Sequence, residues 1–99
     1  MIYVFHRAAI REFNEAIDFY EKREPGLGTA FSKEVHAMIQ RIIEYPASSP
    51  MLTRTCRRCL IRRFPYGIIY EIVDEKIVII AVMQLNRKPE YWRRRLHDT

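Results

Sequence analysis

The sequence is poor in the residues from which most catalytic and metal sites are built. Of its 99 residues only three are histidine and two are cysteine. Cys56 and Cys59 form a lone Cys-Arg-Arg-Cys, with no second pair and no suitably spaced histidine, so a structural zinc site lacks ligands. A thioredoxin-like motif would need a helix after it, whereas the residues that follow read as strand. On a strand, positions three apart point to opposite faces, which keeps the two thiols from converging. No metal and no cofactor is expected. Long apolar runs are missing as well. The longest, Ile77 to Met83, has seven residues, against about 20 for a bilayer span. The run from Met1 to Phe5 is too short for the core of a signal peptide, and Arg7 and Arg11 follow it instead of preceding it. The expectation is a cytoplasmic protein without a membrane partner. Internal repeats and low-complexity segments are also absent.

What is present is a single-domain composition with an uneven charge. Residues 1–99 fit one domain, long enough to bury roughly two-thirds of the unfolded surface. With 48% hydrophobic and 29% charged residues the chain has the make-up of a folded globular protein. Residues 1–45 carry six Arg/Lys against seven Asp/Glu, whereas residues 46–99 carry eleven against five. The formal net charge of +5 therefore resides in the second half. Such an imbalance suits an anionic partner, either nucleic acid or an acidic polypeptide.

Periodicity divides the chain into elements. Ile2 to Phe5 is a short β-branched and aromatic run and reads as a strand. Ile10, Phe13, Ile17 and Tyr20 then share one helical face, with Glu12, Glu15, Asp18 and Glu21 on the other. Pro25-Gly26 and Gly28 interrupt, and a second helical period runs from Leu27 through Phe31, Val35, Met38, Ile39 and Ile42 to Pro46. Residues 46–55 read as a loop. Three strands follow, Arg57 to Phe64, Tyr66 to Val73 and Lys76 to Gln84, separated by Pro65 and by Asp74-Glu75, connections short enough for antiparallel hairpins. The last is apolar on both faces, as a central strand would be. Pro89 suits the first position of a short C-terminal helix from Glu90 to about Leu96, with Arg93, Arg94 and Arg95 toward its negative end. The fold class is α+β.

Two segments concentrate guanidinium groups, aromatic rings and a proline: Arg62-Arg63-Phe64-Pro65-Tyr66-Gly67-Ile68-Ile69-Tyr70 and Asn86-Arg87-Lys88-Pro89-Glu90-Tyr91-Trp92. Guanidinium suits bidentate contact with phosphate or carboxylate, and aromatic side chains can stack or anchor an interface. In the first strand of the meander Arg58, Leu60, Arg62 and Phe64 share one face, and Arg57, Cys59, Ile61 and Arg63 the other. With arginines on both, the pattern leaves open which face covers the helices. Charge on an edge strand also serves to discourage stray pairing.

The order strand, two helices, three-stranded meander and short basic tail resembles the RelE/ParE superfamily of toxins from bacterial toxin-antitoxin modules. Arg63-Phe64-Pro65-Tyr66 followed by Ile69-Tyr70 is similar to the ParE-like branch, the plasmid stabilisation proteins. So is Arg87-x-Pro89-x-Tyr91-Trp92 after a strand written Ile-Val-Ile-Ile-Ala-Val, and so are Pro25-Gly26-Leu27, Phe31 and Pro46 in their spacing. That resemblance implies inhibition of DNA gyrase by a toxin that catalyses nothing itself, and neutralisation by a cognate antitoxin whose acidic, amphipathic segment wraps it. Arg58, Arg62, Arg87, Tyr91 and Trp92 are the expected contact residues, although aromatic side chains on a short terminal helix also pin it to the sheet, a role that suits Trp92 better than contact.

The RelE-like branch gives the second reading, a ribosome-dependent endoribonuclease acting on mRNA. There Arg58 and Arg87 would hold the scissile phosphate, and Tyr91 or His97 would transfer protons. Leu60 and Gly67 stand where that branch carries basic residues, and Gln84 stands where ParE-like sequences often carry histidine. Cleavage by a 2'-hydroxyl needs a proton acceptor, a proton donor and cations. Arginine, with a pKa above about 12, supplies only the last. His6, ahead of the first helix, and His36, within the second, read as ordinary structural residues. A third reading is a toxin fold that only binds its antitoxin.

Overall fold

The computed structural model describes residues 1–88 and 90–98, without the side chains of His97 and Asp98. Its elements in order are β1 (Ile2–Phe5), α1 (Arg7–Arg23), α2 (Leu27–Glu44), β2 (Cys56–Leu60), β3 (Tyr66–Val73), β4 (Lys76–Gln84) and a 3-10 helix (Arg93–Asp98). The strands form one mixed sheet in the order β1-β4-β3-β2. β1 runs parallel to β4, and β2, β3 and β4 make the antiparallel meander. The apolar run of β4 thus occupies the centre, where both faces and both edges are covered.

α1 starts where His6 turns its Nδ1 to accept from the Ala8 amide at 3.0 Å, an N-cap made by an imidazole. Its buried stripe is Ala9, Phe13 and Ala16. The small alanines bring the helix close to the sheet and rotate Ile10, expected on the core face, out to solvent. The α1–α2 crossing is closer still at Gly28, where a Cβ would lie 2.6 Å from the Ile17 carbonyl oxygen. Glu21 caps the start of α2 by accepting from the amides of Gly26 at 2.9 Å and Gly28 at 3.0 Å. Gly26 itself sits at φ 91°, a turn conformation that a side chain would strain.

Both helices cover one face of the sheet. The core there joins Phe13, Phe31, Val35 and Ile39 to Ile68, Tyr70, Ile77, Ile79 and Val82. Phe64 belongs to it, with its ring 5.1 Å from that of Phe31 and 4.8 Å from that of Tyr20. Half of the Arg-Phe-Pro-Tyr motif is thus core. A second, smaller cluster on the opposite face gathers Cys56, Ile69, Val78, Ile80, Ala81 and Met83 under Trp92.

Two sequence expectations need correction. The first meander strand ends at Leu60 and does not reach Phe64. Arg63 adopts φ 72°, which breaks strand geometry and swings Phe64 under the helices. The C-terminal segment is a 3-10 helix that starts at Arg93, preceded by turn residues 90–92, and not an α-helix from Glu90. Six residues are too few to sustain an α-helix on propensity alone, and tighter winding suits short pieces tied down by side chains. The role given to Pro89 falls outside the described residues. Cys56 and Cys59 are free and belong to opposite faces of the sheet, as the strand parity requires.

One irregularity in β4 matters for the site. Ile69 pairs with Ala81 but Tyr70 pairs with Ile79, so Ile80 is an additional residue. Ile80 and Ala81 therefore both point to the second cluster, and Val82 returns to the helix side. The shift carries Met83 and Leu85 onto the face away from the helices.

Candidate functional site

That open face resolves the parity question. In β2, Cys59 packs against the helix-side core, whereas Cys56, Arg58 and Leu60 lie on the opposite face. Arg57, on the helix side, is used structurally: its Nη1 donates to the carbonyls of Ala47 at 3.1 Å and Ser49 at 2.6 Å. Those bonds, with Tyr70 Oη donating to the Pro46 carbonyl at 2.8 Å, fix the loop that follows α2. The same loop screens the outer edge of β2, where the Arg58 amide donates to the Pro50 carbonyl at 3.1 Å.

Arg58 and Arg87 meet in one cavity of about 320 Å³. Its walls are Leu52, Thr53, Met83, Leu85, Glu90 and Trp92. Among the described residues neither arginine has an acidic partner; the one carboxylate on the wall, Glu90, is paired with Arg93. Gly67 makes room for the first of them. A Cβ there would sit 3.3 Å from Arg58 Cγ and 3.4 Å from its Cδ, so the bare backbone is the bed on which the arginine stem lies. The missing basic residue at this position therefore has a steric counterpart in the arginine that lies across it.

Trp92 is buried beneath this cavity, with its Nε1 lacking a hydrogen-bond partner among the described residues. Its apolar contacts with Met83 and the rest of the second cluster hold the tail against the sheet. Tyr91 turns the other way. Its hydroxyl donates to Glu12 Oε2 at 2.5 Å, and its ring carries the Arg87 guanidinium at 4.2 Å and that of Arg95 at 5.1 Å. Burial, and next the Glu12 carboxylate that accepts its proton in a hydrogen bond, raise the phenol well above the usual tyrosine range. The hydroxyl is thus a fixed donor to α1 and stands outside the cavity shared by the two arginines. Arg62 is exposed, beyond the end of β2, and does not line that cavity. The side chain of His97 lies outside the described residues.

Sequence patterning missed the centre of this arrangement. Glu12, assigned to the solvent face, is a half-buried hub: Arg95 donates to its Oε1 from Nη1 and to its Oε2 from Nη2, both at 2.9 Å. The Val82 amide also donates to Glu12 Oε1, at 3.0 Å, and Arg95 Nη1 donates to the Ile80 carbonyl at 2.9 Å. The physical need is clear from the sheet. β1 pairs with β4 only as far as Phe5–Ile79, and beyond that point an ion pair takes over from the strand. The available signal was the small-residue stripe, since Glu12 lies three residues after Ala9 and four before Ala16.

Among the described residues no cluster of His, Cys, Asp or Glu is arranged to hold a metal ion, and no helix is long and apolar enough to cross a membrane. The overall arrangement is similar to known folds. A chain of the chromosomal ParDE toxin-antitoxin system of P. aeruginosa superposes with a TM-score of 0.76 at 14% identity, over 87% of this chain and 97% of that one. The isolated RelE toxin of E. coli superposes with a TM-score of 0.65 at 16% identity, over 99% of this chain and 98% of that one. At such identities the likeness establishes the RelE/ParE-like fold. No curated protein sequence matches the chain. Residues 3–89 match the family model of the ParE toxin of the type II toxin-antitoxin system parDE. With most of its length matched, the chain belongs to the ParE toxin family of type II toxin-antitoxin systems.

Proposed function

We propose that this toxin acts in the cytoplasm on DNA gyrase, holding the enzyme in its DNA-cleaving state, and that its cognate antitoxin neutralises it by covering the same surface. The observation that carries this reading is the cavity between Arg58 and Arg87: two cations without an acidic partner among the described residues, set in apolar walls, with the Tyr91 hydroxyl committed elsewhere. Such a surface binds. For phosphodiester cleavage it offers cations, but its single carboxylate is paired with Arg93 and its nearest phenol resists ionisation. The contacts are assigned to Arg58 and Arg87, with Tyr91 supporting Arg87 and Trp92 anchoring the segment that bears both. Arg62 contributes from the rim.

The test is induction in growing cells with DNA and protein synthesis pulse-labelled separately. An early stop in DNA synthesis while translation continues is the expected result. The reverse order would replace this reading with the ribosome-dependent endoribonuclease, and normal growth would leave an inactive toxin fold.

A further inference from the structure

Arg87 stands between two cavities. It lines the one shared with Arg58, and it also lines a smaller one of about 100 Å³ beside α1, whose walls include Glu12, Glu15, Tyr66 and Gln84. The charges on the two sides are opposite. Arg58 repels a second guanidinium, whereas Glu15, exposed and without a cationic partner among the described residues, attracts one. Charge alone would therefore draw Arg87 toward α1 and leave Arg58 by itself.

The opposing force comes from Tyr91. The Arg87 side chain has no hydrogen bond and no ion pair among the described residues, and its one directional contact there is the Tyr91 ring, whose centre is 4.2 Å from the guanidinium carbon. A cation gains from an aromatic ring only while the ring turns its face toward it at close range. Tyr91 belongs to the turn ahead of the 3-10 helix, and its ring is tied at the hydroxyl, which donates to Glu12 Oε2. Glu12 cannot turn freely, because it also accepts from the Val82 amide and from both terminal nitrogens of Arg95. Its charge is matched by Arg95, so it orients the ring without capturing Arg87. Glu12 itself forms no part of the cavity shared with Arg58.

We propose that Glu12 is a positioning residue of the contact surface: through the Tyr91 hydroxyl it holds the ring that keeps the Arg87 guanidinium in the cavity shared with Arg58 instead of beside Glu15. The helix α1, on the far side of the sheet edge, thereby sets the spacing of the two free cations. Cutting the link at the hydroxyl leaves Arg87 present and charged but releases it to the smaller cavity. The proposal rests on the reading of Arg87 as a contact residue.

Nuclear magnetic resonance of the arginine Nε–Hε groups, in the isotope-labelled full chain at mildly acid pH, tests it. The Arg87 signal, identified by its loss in Arg87→Lys, is expected upfield of the exposed arginines because the Tyr91 ring current shields it. Glu12→Ala and Tyr91→Phe should both return it toward the exposed group. Tyr91→Phe leaves Glu12 paired with Arg95 and the Val82 amide, so it stays folded and decides the question where Glu12→Ala loses the fold. Ile39→Val, which removes a methyl group from the helix-side core, controls for lost stability and should leave the signal in place. In growing cells the inducer level that halves growth is expected to rise about fivefold or more for Tyr91→Phe and to stay within about twofold for Ile39→Val. An unmoved Arg87 signal in Tyr91→Phe, an equal movement in Ile39→Val, or arrest by Tyr91→Phe at the wild-type inducer level overturns the proposal. Full arrest by Arg87→Ala instead removes the contact reading beneath it, whereas relief by Arg87→Ala but not by Tyr91→Phe removes the positioning alone.

Discussion

Glu12 and Arg95 lie 83 residues apart in the chain and meet as a bidentate pair with both N–O distances at 2.9 Å. The side chains are 13% and 16% exposed, so each charge depends on the other in a largely dry setting. Removing one partner strands the second. Glu12→Ala is expected to lower unfolding free energy by about 3 kcal/mol or more, the range for breaking buried pairs. Glu12→Gln, which keeps one carbonyl acceptor for the Val82 amide and turns an NH2 donor toward the Tyr91 hydroxyl, should cost less. Urea denaturation of both variants checks the order.

The same carboxylate governs the alkaline limb of stability. Tyr91 has a raised pKa in the folded protein, caused first by burial and next by its bond to Glu12, so the folded state holds this proton more tightly than the unfolded state. Its stabilising contribution is present below the ordinary tyrosine value of 10.0 and is lost as pH rises above it. Spectrophotometric titration of the six tyrosines should show a late-ionising group, Tyr20, Tyr66 and Tyr91, all raised by burial, and Tyr91→Phe should remove its last-ionising member.

Arg87→Ala and Arg58→Ala are expected to relieve growth arrest while leaving a folded protein, since neither guanidinium has an acidic partner among the described residues. Arg62→Ala, off the cavity wall, should relieve it less. Growth after induction, compared with thermal midpoints of the purified variants, decides between loss of contact and loss of fold. Full arrest by a folded Arg87→Ala protein would remove that residue from the site.

Gly67→Ala separates contact from stability in a different way. The new methyl group would press on the Arg58 stem at 3.3 Å and 3.4 Å, a flexible neighbour that can lift away. Restricting the unfolded chain favours alanine by about 0.4–1 kcal/mol, so stability should hold or rise while toxicity falls. A variant both stable and fully toxic would show that the bed under Arg58 is irrelevant.

The two hairpin strands Tyr66–Val73 and Lys76–Gln84 were legible in the sequence because turn residues bound them, with Asp74 and Glu75 taking φ of 48° and 61° at the tip. Both helices were legible through their period, apart from the rotation set by Ala9 and Ala16. Arg58 and Arg87 were recognisable as cations in the right segments, but only the family resemblance brought them to one point; the residue pattern did not, because their convergence depends on the added residue at Ile80. Alternation patterns assume an unbroken pleat, and a run of apolar residues hides a slip within it. Glu12 was missed for a related reason. Its partner is distant in sequence, and short-range pattern carries no information about what meets a helix from the far end of the chain.

The parallel pairing of β1 with β4 also has a consequence for synthesis on the ribosome. Phe5 finds its partner Ile79, and Glu12 its partner Arg95, only after almost the whole polypeptide has emerged. The helical hairpin can form early, but its inner face has no sheet to rest on until then, and contacts of such long sequence separation form late. A ribosome that stalls before β4 therefore releases a chain that cannot close its core or bring Arg58 and Arg87 together, so that truncated products of this toxin would be harmless.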